Sequence, residues 1–237
     1  MKAIRTYIPN TITCLNLLSG CAAVFFAFNL DIAPASLSAM AWAFIFIGAA
    51  AVFDFCDGLS ARLLHAYSPM GKELDSLSDL VSFGLAPAFL VMNVMLDNGA
   101  PVWVAACAIL IALMGALRLA KFNVDTRQTT SFVGLPIPAN AIFWIGAIAW
   151  IQSHSYPGDI AMLILILAIS LLMVSELKMF SLKFANLSFR DNVRRYVILA
   201  ATVLFVSTEG LSGLAWTIIL YILISVLGKK TEPIAGE

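Results

Sequence analysis

Four aspartates set the chemistry that this chain can do. Asp54 and Asp57 close the apolar run IFIGAAAVFDFCDG, residues 45–58, and Asp75 and Asp79 follow in KELDSLSD, residues 72–79. Each pair is spaced i,i+3 or i,i+4, which puts both carboxylates on one face of a helix. Only HAYSPMG, residues 65–71, separates the second helix's end from the third's start, so a hairpin turn sets the two acidic faces against each other. Four carboxylates so close cannot all stay ionised without counter-charge. Divalent Mg²⁺ or Mn²⁺ suits them best, because these cations take oxygen ligands and bind together with phosphates. A single intramembrane aspartate reads instead as a helix–helix hydrogen-bonding group or a proton relay, a weaker reading for four at this spacing.

The neighbours narrow the ligand. Gly58 and Ala61 share the stripe of Asp54 and Asp57 and leave room for a ligand to approach the backbone. Arg62 follows, a fork-shaped partner for a phosphate. Together these suggest a diphosphate substrate, although close helix packing uses the same small residues. His65 and Lys72 read as interfacial side chains and Glu73 as solvated.

The elements that must carry these residues are membrane helices. Of 237 residues, 61% are hydrophobic and only 12% charged, and the mean hydropathy is +0.94; a water-soluble domain of this size needs a far more charged surface. A formal net charge of zero argues against a nucleic-acid partner. The cysteines, Cys14, Cys21, Cys56 and Cys107, form no metal-binding spacing and read as small buried hydrophobes. Crossing the hydrocarbon takes about 20 apolar residues, which predicts an all-α integral membrane protein of about eight helices. They fall near 9–30, 37–63, 73–96, 100–120, 136–152, 159–177, 194–209 and 211–228, the last boundary being the least marked. The N-terminus is basic and then apolar like a signal peptide, but its apolar stretch runs on through Phe25, Phe26 and Phe28 to Leu30, as in a first membrane helix.

All fourteen Lys and Arg fall in or beside alternate segments: Lys2 and Arg5; Arg62 and Lys72; Arg118, Lys121 and Arg127; Lys178, Lys183, Arg190, Arg194 and Arg195; Lys229 and Lys230. The remaining gaps hold Asp31, Asp97, His154 with Asp159, and Glu209. Positive-inside logic therefore expects both termini and the aspartate site at the cytoplasmic face of the inner membrane.

Residues 54–79, DFCDGLSARLLHAYSPMGKELDSLSD, read D-x2-D-G-x2-A-R-x8-G-x3-D-x3-D with every position filled. This resembles the signature of the CDP-alcohol phosphotransferases. The resemblance implies a six-helix catalytic core over 1–177, a basic cytoplasmic loop at 178–195, and two added helices with a short tail over 196–237, all in one membrane domain. It also implies that Asp54, Asp57 and Asp75 hold two divalent cations, that Asp79 joins them and is the general base, and that Gly58, Ala61, Arg62 and Gly71 shape the cytidine-diphosphate pocket. Asn10, Thr13 and Asn16 form a polar stripe like the one that faces the nucleotide in this family, although many members carry Arg where Asn16 stands. Helix capping and packing also account for such a stripe. Members commonly pair, which implies a homodimer.

The acceptor alcohol is read from RLAKFNVDTRQTTSFVGLPIPAN, residues 118–140. Arg118, Lys121 and Asn123 offer cations for a carboxylate and an oxygen for an ammonium, but a phosphate-bearing acceptor needs cations too, and basic residues gather at cytoplasmic helix ends without any ligand. R-L-x-K-F-N followed by F-x-G-L-P-I-P, with the opening IPNTITCLNLLSG, is similar to the phosphatidylserine synthase branch of the family. The resemblance thus implies transfer of the phosphatidyl group from CDP-diacylglycerol in the bilayer to L-serine. Glycerol 3-phosphate or an inositol phosphate stands as the alternative acceptor, and a divalent-cation transporter as the alternative outside enzymes.

Overall fold

The computed structural model describes residues 2–32, 34–124, 132–180, 188–190 and 192–228. Of the basic residues used for orientation, Arg127, Lys183, Lys229 and Lys230 lie outside them. Among the described residues the chain forms eight long helices: α1 Lys2–Phe28, α2 Ala39–Leu63, α3 Pro69–Asp97 and α4 Val102–Val124, α5 Ile137–Ser153, α6 Asp159–Val174, α7 Val193–Glu209 and α8 Gly213–Leu227. The chain is an all-α membrane protein. Large apolar side chains such as Phe55, Trp103, Ile160, Leu171 and Val203 point outward, an arrangement that water disfavours and lipid accepts. Cys14 and Cys21 share that outer surface and are exposed rather than buried, because each falls on the outward stripe of α1.

Helix boundaries follow local chemistry. α3 begins at Pro69, earlier than expected, since the Ser68 hydroxyl accepts from the Gly71 amide at 2.9 Å and Pro69 fits the first helical position. α2 ends in a Schellman turn: Ala66 N–H donates to Ala61 C=O at 2.9 Å and His65 N–H to Arg62 C=O at 3.2 Å. His65 takes φ 48° there, so it closes the helix in the left-handed conformation and has a structural place beyond an interfacial one. α6 stops at Val174, short of the expected 177, because the chain then runs extended and Lys178–Met179 (β2) pair antiparallel with Phe132–Val133 (β1).

Residues 193–227 are apolar enough to pass for one helix of 35 residues. Instead the chain reverses at Gly210, φ 61°, and Arg194 Nη2 donates to the Gly228 carbonyl at 3.1 Å. α7 and α8 are therefore an antiparallel hairpin, and the weakly marked boundary is a true one. The hairpin docks on α5 through Gly146, where an added Cβ would overlap the Ala215 amide nitrogen. The core is built around Phe83, Leu90 and Met95 of α3, Ile111 of α4, Trp144 and Ile148 of α5, and Met162 and Ile166 of α6, all fully buried.

Candidate active site

α1, α2 and α3 meet around the aspartates. α2 brings Asp54 and Asp57, α3 brings Asp75, and ligand-capable oxygens of these three lie within 4.8 Å of one another. At that separation each ionised pair repels by roughly 3–4 kcal/mol at an effective dielectric constant near 20. Oδ2 of Asp57 and Oδ1 of Asp75 are buried without a hydrogen-bond partner, and buried polar atoms left so are costly. Hard carboxylate oxygens with unspent acceptor capacity fit a divalent cation. Asp79 stands outside this trio. It is 8% exposed and accepts from the Asn16 amide at 3.3 Å, while the charges of Asp54, Asp75 and Arg118 act on it.

The seam between α1 and α3 is close and polar. Ser82 donates to Asn16 Oδ1 at 2.7 Å, and Ser78 Oγ lies 3.3 Å from the Thr13 carbonyl, which accepts from it. A Cβ on Gly20 would come within 2.9 Å of Ser82 Cα, so only glycine permits this approach. Asn16 and Thr13 are thus buried on the stripe facing α3.

A cavity of about 190 Å³ opens beside the trio, lined by Asn10, Thr13, Asp57, Gly58, Ala61, Gly71 and Asp75 among others. A Cβ at Gly58 would meet open space, whereas one at Gly71 would lie 2.9 Å from Asn10 Oδ1. The two glycines differ accordingly: one keeps the cavity clear and the other lets Asn10 reach it. Of the residues expected around a diphosphate, Asn16 is withdrawn toward Asp79. Arg62 is exposed and folded back, with Nε donating to the Gly58 carbonyl at 3.0 Å.

Tyr67, Ser68 and Lys72 also line the cavity, and sequence reasoning did not put them there. Lys72, taken as interfacial, faces the site and donates to the Asn123 carbonyl at 3.0 Å. Its position three residues before Asp75, on the same helical face, was the available signal. Ser68 was legible as the cap before Pro69. Glu73 is exposed, as expected.

The residues expected at the acceptor divide. Arg118 is 8% exposed, its guanidinium carbon lies 5.8 Å from the Phe122 ring centre, and it shares the interior field of Asp79 and the Tyr221 hydroxyl. Asn123 donates to Ser76 Oγ at 2.9 Å, against the acidic helix. Lys121 turns away to an ion pair with Glu176.

Comparison with known proteins follows the same lines. Residues 6–189, which span α1 to α6 and stop before α7, match the family described as CDP-alcohol phosphatidyltransferase. The chain is 39% identical over 172 residues to the CDP-diacylglycerol–serine O-phosphatidyltransferase of Bacillus subtilis, covering 73% of this chain and 89% of that one. A protein of the same name from Methanocaldococcus jannaschii is 40% identical over 149 residues, 63% of this chain and 69% of its own. A third of that name, from Helicobacter pylori strain J99, is 28% identical over 224 residues, 92% of this chain and 89% of its own.

Proposed function

The chain belongs to the CDP-alcohol phosphatidyltransferase family, and from that premise we propose that it transfers the phosphatidyl group of CDP-diacylglycerol to the hydroxyl of L-serine, giving phosphatidylserine and CMP. One observation carries the reading: Asp54, Asp57 and Asp75 cluster, and Asp57 and Asp75 line a cavity edged by Gly58, Ala61 and Gly71, with Asp79 held nearby by Asn16. Serine as acceptor is supported by the names of the relatives.

Asp54, Asp57 and Asp75 hold two divalent cations, Mg²⁺ or Mn²⁺, with Asp79 joining them. Bound there, the cations offset charge on the diphosphate and on the departing CMP. Asn10, Thr13, Gly58, Ala61 and Gly71 seat the cytidine diphosphate; Arg62 must leave the Gly58 carbonyl to join them, and Asn16 acts on the site through Asp79. Asp79 takes the proton of the serine hydroxyl as that oxygen attacks the phosphorus bearing diacylglycerol. The bond from that phosphorus to CMP breaks, and its electron pair leaves with CMP. The signature supplies no covalent nucleophile, so transfer is direct. Arg118 and Lys121 meet the serine carboxylate and Asn123 its ammonium group; Lys121 must leave Glu176 to do so.

In this reading α1 to α8 are eight spans, both termini and the site lie at the cytoplasmic face of the inner membrane, and the protein works as a homodimer. Residues 1–177 are the catalytic core, 178–195 a basic loop, and 196–237 the added helices and tail. The alternation of the fourteen basic residues supports this topology.

The test uses purified protein, CDP-diacylglycerol and labelled serine with Mn²⁺ or Mg²⁺, beside Asp79→Asn. Phosphatidylserine and CMP formed only by the unmutated, metal-loaded protein support the proposal. CMP release that requires glycerol 3-phosphate or an inositol phosphate removes serine and keeps the family chemistry.

A further inference from the structure

The motif GLPIPAN, residues 134–140, ends in a buried asparagine outside the site. α3 is not uniform: Leu80–Leu85, directly after Asp79, form a wide π-turn in which the Ala86 amide reaches back five residues to the Val81 carbonyl. Such turns need support, because every backbone polar group in hydrocarbon must be satisfied within the protein. In a regular helix the donor to the Phe83 carbonyl is the amide four residues on, and residue 87 is proline, which has none. Asn140 of α5 supplies a donor, Nδ2 to the Phe83 carbonyl at 2.8 Å. Its amide is oriented in turn by Trp144, whose Nε1–H donates to Asn140 Oδ1 at 3.1 Å. Both side chains are 0% exposed.

The turn sets how the acidic and apolar faces of α3 are aimed. One residue more or fewer rotates everything beyond it by roughly 100° about the helix axis. Leu90, Val91, Val94 and Met95 beyond the turn are locked in the core, so the turn fixes the direction of Asp75 and Asp79 before it. Ser82, inside the turn, is also the donor to Asn16 Oδ1, and Asn16 is the donor to Asp79. Ile137 of the same motif packs between Gly84 and Gly115, which leaves the turn little room to shift.

We propose that Asn140 is a positioning residue for Asp79, holding the Phe83 carbonyl so that the wide turn keeps the Asp75–Asp79 face on the site. The proposal rests on the phosphatidyltransferase reading above. The experiment compares Asn140→Leu, Pro87→Ala and the double variant for CMP release with serine, and for the rise in melting temperature that Mn²⁺ induces. Asn140→Leu is expected to lower kcat by about tenfold to a hundredfold, the scale of a small misplacement of a reacting group, with both KM values within about twofold of the parent. Pro87→Ala alone should behave as the parent. Added to Asn140→Leu, it returns an amide donor to the Phe83 carbonyl and should recover most of the lost kcat. Unchanged kcat in Asn140→Leu, or a loss that Pro87→Ala does not recover, overturns the proposal. If Asn140→Leu does not fold, Trp144→Phe decides: a several-fold fall in kcat at unchanged KM supports the clamp, and a parental kcat overturns it. If the parent releases no CMP with serine, the acceptor reading fails by itself. The Mn²⁺ response then judges the clamp, with loss in Asn140→Leu and return in the double variant supporting it, and a parental response overturning it.

Discussion

Asn16 of α1 donates its side-chain amide to Asp79 of α3 at 3.3 Å, across 63 residues of sequence. The same Asn16 accepts from Ser82 at 2.7 Å, so its amide group is fixed at both ends and Asp79 is held in one orientation. Asp79→Asn is expected to lower kcat by about 10²- to 10⁴-fold, the usual worth of a positioned general base. Asn16→Leu should lower it less, while leaving Asp79 in place. CMP release under saturating substrates measures both, and equal losses would show that Asn16 does more than orient Asp79.

The orphaned oxygens of Asp57 and Asp75 predict a metal-dependent stability. Mn²⁺ at about a hundredfold over its dissociation constant should stabilise the parent by roughly 2.7 kcal/mol. Asp57→Asn and Asp75→Asn should lose most of that gain while unfolding normally without metal. Melting curves with and without EDTA read the difference. A full Mn²⁺ response in both variants would place the metal elsewhere.

Gly58 and Gly20 should fail in opposite ways. A Cβ at Gly58 meets open space, so Gly58→Ala should fold as the parent and raise the KM for CDP-diacylglycerol several-fold by entering the cavity. A Cβ at Gly20 meets the Ser82 backbone, so Gly20→Ala should cost stability, by about 1–3 kcal/mol as overpacking does. Melting temperature and KM measured together separate the two.

Arg118 and Lys121 are three residues apart but differently engaged. Arg118→Lys is expected to raise the KM for serine about tenfold or more, because a buried fork of donors is replaced by a point charge. Lys121→Gln should raise it less, since the Lys121–Glu176 pair is exposed and worth only about 0–1 kcal/mol. Serine titrations at saturating CDP-diacylglycerol provide the comparison, and a larger effect at Lys121 would reverse the assignment of the two.

The match to the family over residues 6–189 and the names of the relatives agree with the resemblance carried by residues 54–79 and 118–140. Asp54, Asp57, Asp75 and Asp79 were legible because helical periodicity and a short connecting turn are local properties, and local spacing survives in the linear chain. The eight helices were legible for a related reason: apolar runs are local, and Gly, Pro and Asp punctuate the breaks between them. Gly210 separated α7 from α8 on that basis, although hydropathy alone runs across it.

Sequence could not say which polar groups would meet across helices. Asn140 lies 57 residues from the Phe83 carbonyl it holds, and nothing in its neighbours announces a partner on α3. Lys72 looked like one more interfacial cation until packing turned it toward the cavity. Cys14 and Cys21 looked buried because apolar runs do not reveal which stripe faces lipid. By itself the sequence determined which carboxylates share a helix face and where the chain breaks between helices to within a few residues, since both depend on spacing along one chain. Tertiary structure alone decided that Asp79 is held by Asn16, that Lys121 turns to Glu176, and that a wide turn aims the acidic face, because each depends on contacts between helices packed at fixed rotation.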